Sequence, residues 1–167
     1  VARRLSAVRQ FMNWALEDNV RTENPCRWID NPSLPSPLPK SLSEDEVTRL
    51  LASAAIMRPV SISLRAVAML EILYATGLRV SELVTLKVSQ FRRDPDSIMV
   101  IGKGGRERLV PLGAAAKRAS ADWLAVRDAT STYRLSDFMF PDDKALDGRA
   151  MSRHQFAYLL KTIAANA

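Results

Sequence analysis

The sequence predicts a mainly α chain with one small antiparallel β-hairpin, an α+β fold. Three observations carry this. Apolar residues recur at helical spacing through most of the chain. Two capping boxes, Ser43-Glu44-Asp45-Glu46 and Ser152-Arg153-His154-Gln155, open such runs. The period switches from helical to strand-like around Lys103-Gly104-Gly105, a hairpin signal.

Residues 2–18 place Leu5, Val8, Met12, Ala15 and Leu16 at helical spacing, and Asn24-Pro25 ends the segment. Residues 31–41 read as a linker, because positions 31–40 hold four of the nine prolines and proline at that density favours extended backbone. One amphipathic helix cannot bury its own apolar face, so residues 1–30 are expected to belong to an incomplete domain. The chain starts at Val1 inside a helical pattern, and both ends are expected to be cut.

The second unit is expected over residues 42–167. Ser43 caps its first helix, with Leu42 and Val47 placed as a hydrophobic staple and Val47, Leu50, Leu51 and Ala54 on one face. A helix over 61–75 is apolar nearly all round, which predicts a central position and a core role for Tyr74. Gly77 is its expected C′ residue. A third helix is expected over 79–88, burying Leu83, Val84 and Leu86. Ser97–Gly102 and Arg106–Leu112 form the predicted strands. Helix returns over 114–127, where Ala116, Ala119, Trp123 and Val126 share a face. Phe138–Pro141 reads as a short extended piece. The Ser152 box, with Met151 and Phe156 as staple, opens a last helix to residue 165.

Of the 167 residues, 47% are hydrophobic and 25% charged, which suits a soluble protein with a buried core. Lys plus Arg number 24 against 18 for Asp plus Glu, a net charge of +6 that is compatible with a polyanionic partner. Cys26 is the single cysteine, so an internal disulfide and a Cys-based zinc site are excluded, and a reducing, cytoplasmic compartment is expected. The longest apolar run, Ala66–Ala75, contains Glu71 and is too short for a bilayer, so no membrane is expected. No signal-peptide pattern opens the chain.

Two clusters carry candidate chemistry. In Thr76-Gly77-Leu78-Arg79-Val80-Ser81-Glu82-Leu83, an arginine stands just after a helix break with an acid three residues on. A guanidinium there can hold a phosphate bidentately beside free helical N–H groups; equally, Arg79 can be a surface residue paired with Glu82. In Ile101-Gly102-Lys103-Gly104-Gly105-Arg106-Glu107-Arg108, glycines allow close backbone approach while Lys103, Arg106 and Arg108 charge the hairpin tip. The alternative is a solvated turn whose charges protect a sheet edge. A P-loop fails, since Gly104 follows Lys103 where Ser or Thr is needed and position 97 is Ser where the first Gly belongs.

Together, Ala75–Leu83 and Ile101–Leu112 resemble the tyrosine recombinase (phage integrase-like) family, in its bacterial Xer branch. The proline-rich stretch ending Leu38-Pro39-Lys40, then Leu42-Ser43, is similar to that branch's interdomain junction. The Ala75-Thr76-Gly77-Leu78-Arg79-Val80 form leans toward XerD-like sequences. The resemblance implies that residues 1–30 are the last helix of an N-terminal DNA-binding domain and 42–167 the N-terminal part of the catalytic domain. It implies site-specific cutting and rejoining of duplex DNA through a 3′-phosphotyrosyl link, with no metal and no cofactor. Arg79 matches the family's first catalytic arginine, Lys103 the general acid toward the leaving 5′-oxygen, and Glu82 a supporting acid. Arg106 and Arg108 are candidate DNA contacts read from the residues alone. The implied partners are double-stranded DNA and a paralogous or identical subunit in a multimer.

The family's second half carries a His-x-x-Arg box and the nucleophilic tyrosine. His154 is the single histidine and Ala157 stands three residues on, so it is read as a surface residue at a helix start. Tyr74, Tyr133 (in a polar connection) and Tyr158 do not follow such a box. The chain by itself is therefore expected not to cleave DNA. A non-catalytic DNA-binding or regulatory remnant of a recombinase is the competing expectation.

Overall fold

The computed structural model describes residues 2–30, 41–94, 96–102, 105–145 and 147–167. They fall into two compact units, Val1–Ser41 and Leu42–Ala167. The linker expected over 31–41 lies, apart from residue 41, outside the described residues.

In the first unit, helix α1 spans Ala2–Glu17. The chain then turns through Asn19, at φ 57°, a left-handed conformation that asparagine tolerates better than most residues. The following segment lies back along α1. Val20 and Arg21 donate backbone N–H groups to the Ala15 carbonyl at 2.9 and 3.0 Å. The Asn24 amide donates to Asn13 Oδ1 at 2.7 Å, and its own Oδ1 accepts from the Cys26 N–H at 2.8 Å.

The second unit opens with α2 (Glu44–Ala55), and its capping box closes in both directions. Ser43 N–H donates to Glu46 Oε2 at 2.7 Å, and Glu46 N–H donates to Ser43 Oγ at 3.2 Å. Leu42 remains exposed. Helix α3 (Val60–Thr76) packs between α2 and a later helix, burying Ser63, Arg65, Ala66, Ala68, Met69 and Ile72. Gly77 stops it at φ +61°, its N–H bonded to the Leu73 carbonyl at 2.9 Å. Tyr74 corrects the expectation of a core residue, for it is 59% exposed. At 3.6 residues per turn it stands about 200° around the wheel from Ile72, outside the packed face.

The single helix expected over 79–88 is two short ones, α4 (Val80–Val84) and α5 (Val88–Arg93). The cause is a competing partner for the backbone. Leu86 O accepts from Met139 N–H at 2.8 Å, and Val88 N–H donates to Asp137 O at 2.9 Å. Lys87 thus pairs antiparallel with Phe138, and those groups are lost to a continuous helix.

Strands β1 (Ser97–Ile101) and β2 (Glu107–Pro111) pair antiparallel, with Ile101 opposite Glu107 and Val100 opposite Arg108. The connection is closed by the Gly102 N–H on Arg106 O at 2.8 Å. Then come α6 (Ala114–Ala129), α7 (Ser131–Arg134) and α8 (Arg153–Ala164). Helix α6 is the second neighbour of α3. Its Trp123 is fully buried between Tyr133 and Phe140, at ring-centroid distances of 5.7 and 6.4 Å. The indole N–H donates to Met139 O at 2.8 Å, which satisfies the one polar atom of a buried aromatic. Tyr133, expected in a polar connection, instead lies on α7 with its ring packed on that indole. The Ser152 box closes as predicted, and Met151 and Phe156 are both buried. At the far end of α8, Ile163 O accepts from Ser53 Oγ of α2 at 3.2 Å.

Candidate active site

Arg79 is the last extended residue before α4, at φ −70° and ψ 150°. This local break puts the Arg79 N–H and side chain beside Glu82, one helical turn on. Glu82 Oε2 accepts from the Arg79 backbone N–H at 2.8 Å, and Oε1 accepts from the Arg79 guanidinium at 3.1 Å. The Glu82 side chain is 7% exposed, whereas that of Arg79 is 66% exposed. The carboxylate is therefore an internal fixture and the guanidinium an external one. The pairing expected as a surface alternative for Arg79 and the outward guanidinium needed to hold an anion coexist in one geometry.

A second guanidinium reaches the same carboxylate from β2. Arg108 donates from its two terminal nitrogens to Glu82 Oε1 at 3.2 Å and Oε2 at 2.9 Å. Each carboxylate oxygen thus accepts two donors. The Arg108 bonds, then the Arg79 backbone bond, push the Glu82 acid down to about 2, against the opposing effect of burial. Glu82 is ionised at any ordinary pH.

The sequence pattern puts Arg108 with Arg106 at a charged hairpin tip. Arg106 and Arg108 are both exposed, and the Arg108 guanidinium is turned toward α4, where Glu82 accepts from it. The hairpin register held a partial signal, since Arg108 is opposite Val100 and back from the turn. Its partner, 26 residues earlier, was not readable. Lys103 and Gly104 lie outside the described residues. A cleft of about 290 Å³ lies beside the pair, lined by Glu82, Thr85, Leu86, Gln90 and Met99 among others.

The tyrosines are placed as follows. Tyr74 and Tyr158 are exposed on α3 and α8. The Tyr133 hydroxyl donates to Asp143 Oδ1 at 2.5 Å. Burial, and then that bond, push it up to about 12, which disfavours the phenolate. His154 is exposed in the first turn of α8, as expected from its capping box. Among the described residues no cluster of His, Cys, Asp or Glu could hold a metal ion, and no helix is long and apolar enough to cross a membrane.

A mainly helical domain with this hairpin is the fold of tyrosine recombinase catalytic domains. The chain aligns with a XerA recombinase crystal structure at TM-score 0.63 and 25% identity, over 78% of this chain and 44% of that one. It aligns with a lambda integrase dimer bound to a COC′ core site at TM-score 0.71 and 18% identity, over 99% and 57%; this second likeness bears on fold alone. Residues 40–167 match the phage integrase family, and the chain belongs to that family. The tyrosine recombinase XerD of Caulobacter vibrioides is 42% identical over 154 residues, covering 91% of this chain and 50% of the relative. The tyrosine recombinase XerC of Erythrobacter litoralis is 36% identical over 171 residues, covering 100% and 52%. The chain spans about half the length of the curated relatives it matches.

Proposed function

We propose that this chain supplies the phosphate-gripping part of an enzyme that cuts and rejoins duplex DNA at specific sites through a 3′-phosphotyrosyl intermediate. The observation that supports this most is the outward guanidinium of Arg79, steered by a buried, fully ionised Glu82. A planar guanidinium in that setting matches two non-bridging phosphate oxygens and stabilises charge that grows on them as a nucleophile attacks. Lys103, next in sequence to Gly102, is assigned the general-acid role toward the leaving 5′-oxygen, on the family resemblance. Arg106, exposed on the same hairpin, is assigned a DNA backbone contact, which positions the duplex without reading its sequence. The first unit is assigned to the end of a DNA-clamping domain. The partners are duplex DNA and further recombinase subunits, identical or paralogous, and the compartment is the cytoplasm.

A nicked-duplex trap tests the reading, because the nick lets the cleaved end diffuse away and preserves the covalent adduct. Protein of the relatives' full length is expected to form the adduct. Arg79→Ala is expected to lower its rate by about 10²–10³-fold, the usual cost of removing one charge-stabilising donor, while duplex binding persists. Salt-dependent binding without any adduct would leave a DNA-binding remnant. Absence of both would sink the proposal.

A further inference from the structure

We propose that Arg108 is a positioning residue that sets the grip of Arg79 by occupying the Glu82 carboxylate, and that position 102 is glycine to make room for it. The proposal rests on the recombinase reading for its consequence, but the contact itself does not.

The geometry divides the labour between the two arginines. Arg108 takes Glu82 with both terminal nitrogens, whereas the Arg79 side chain offers it one, at 3.1 Å. Arg79 is therefore oriented by a single bond and keeps its remaining N–H groups outward. Without Arg108, a carboxylate that is 7% exposed loses two of the four donors it has among the described residues, with Arg79 three residues away as a cation able to replace them. A buried carboxylate short of donors is costly, so the Arg79 guanidinium is expected to turn inward and pair with it bidentately. That would withdraw it from a phosphate. Arg108 is also poorly placed as a phosphate anchor, since the nitrogens that would grip the phosphate are the ones on Glu82.

Gly102 is an independent observation. A Cβ built there would stand 3.1 Å from the Arg108 terminal nitrogen, 3.5 Å from Arg106 O and 3.9 Å from Glu82 Oε1. Any larger residue pushes on the guanidinium where it meets the carboxylate. The glycine beside Lys103 thus serves the Arg108–Glu82 pair, which binds β2 to the turn that carries Arg79.

Two measurements on this chain test the proposal. The first is a ¹³C NMR titration of the Glu82 carboxyl. Its midpoint, about 2 in the native protein, is expected to move toward the ordinary 4.5 in Arg108→Ala. It should move part of the way in Arg108→Lys, and also in Gly102→Ala, where Arg108 is intact but displaced. A midpoint unmoved in Arg108→Ala would overturn the proposal. The second is a double-mutant cycle on duplex affinity. Arg108→Ala is expected to weaken binding by about threefold to tenfold beside Glu82, with no further loss in the Glu82→Gln background. An equal loss in both backgrounds, with the salt slope reduced by about 1, would make Arg108 a phosphate anchor and overturn the idea. If neither this chain nor protein of the relatives' full length shows salt-dependent duplex binding, the recombinase reading falls, and the titration still decides the Arg108–Glu82 pairing.

Discussion

Both terminal nitrogens of Arg65, inside α3, meet the carboxylate of Asp143, 78 residues further along the chain. One of these bonds measures 2.7 Å. Arg65 is 5% exposed, and its Nε has no partner among the described residues. Asp143 is thus the main compensation for a buried charge. Asp143→Ala is expected to lower the unfolding free energy by about 2–3 kcal/mol, below the roughly 3–5 kcal/mol for breaking a fully buried pair because the carboxylate is partly exposed. Urea denaturation measures it. A change below about 0.5 kcal/mol would mean that solvent already screens Arg65.

Trp123 joins α6 to α7 and to the extended segment at Phe140 through one side chain. Trp123→Phe removes part of the ring and the N–H that satisfies Met139 O. The expected loss is about 2 kcal/mol, smaller than the roughly 3–5 kcal/mol for Trp123→Ala. Thermal melts of the two variants should rank in that order; equal melts would mean that the ring kept in Trp123→Phe packs against nothing that stabilises the fold.

Gly77 gives a cleaner backbone test. A Cβ there meets nothing within 4 Å, so Gly77→Ala adds no clash, and its cost is that of the left-handed φ of +61°. About 1 kcal/mol is expected. The same substitution at Gly113, the N-cap of α6, whose φ of −69° suits any residue, should cost clearly less, since the gain in chain stiffness offsets the poorer cap. Similar losses at both sites would contradict the conformational explanation.

Glu82 predicts an acid-sensitivity window. The folded carboxyl titrates at about 2 and the unfolded one near 4.5, so its contribution is complete above pH 4.5 and drains away as pH falls toward 2. Between those values, native stability should fall faster with acid than that of Glu82→Gln. Parallel pH–Tm curves would show that the pair does not persist in solution.

What could be read from the sequence is what local geometry decides. The Ser43 and Ser152 boxes, the Gly77 stop, the hairpin and the Arg79–Glu82 spacing each need only a few consecutive residues. What escaped depends on distant partners. The break at Thr85–Lys87 exists because Phe138 pairs there, and nothing within residues 79–88 announces it. Tyr74 was misplaced because an apolar helix has no polar face to mark its outside. Arg108 looked like a tip charge because its carboxylate lies 26 residues earlier.

The bond from Ser53 to Ile163 spans 110 residues and bears on the order of assembly. Helix α2 is among the first parts of the second unit to leave the ribosome, yet one of its partners arrives only with α8. Until then its buried face must wait, shielded by local contacts or by a chaperone. Such a sequence-distant closure should make folding slow for a mainly helical unit.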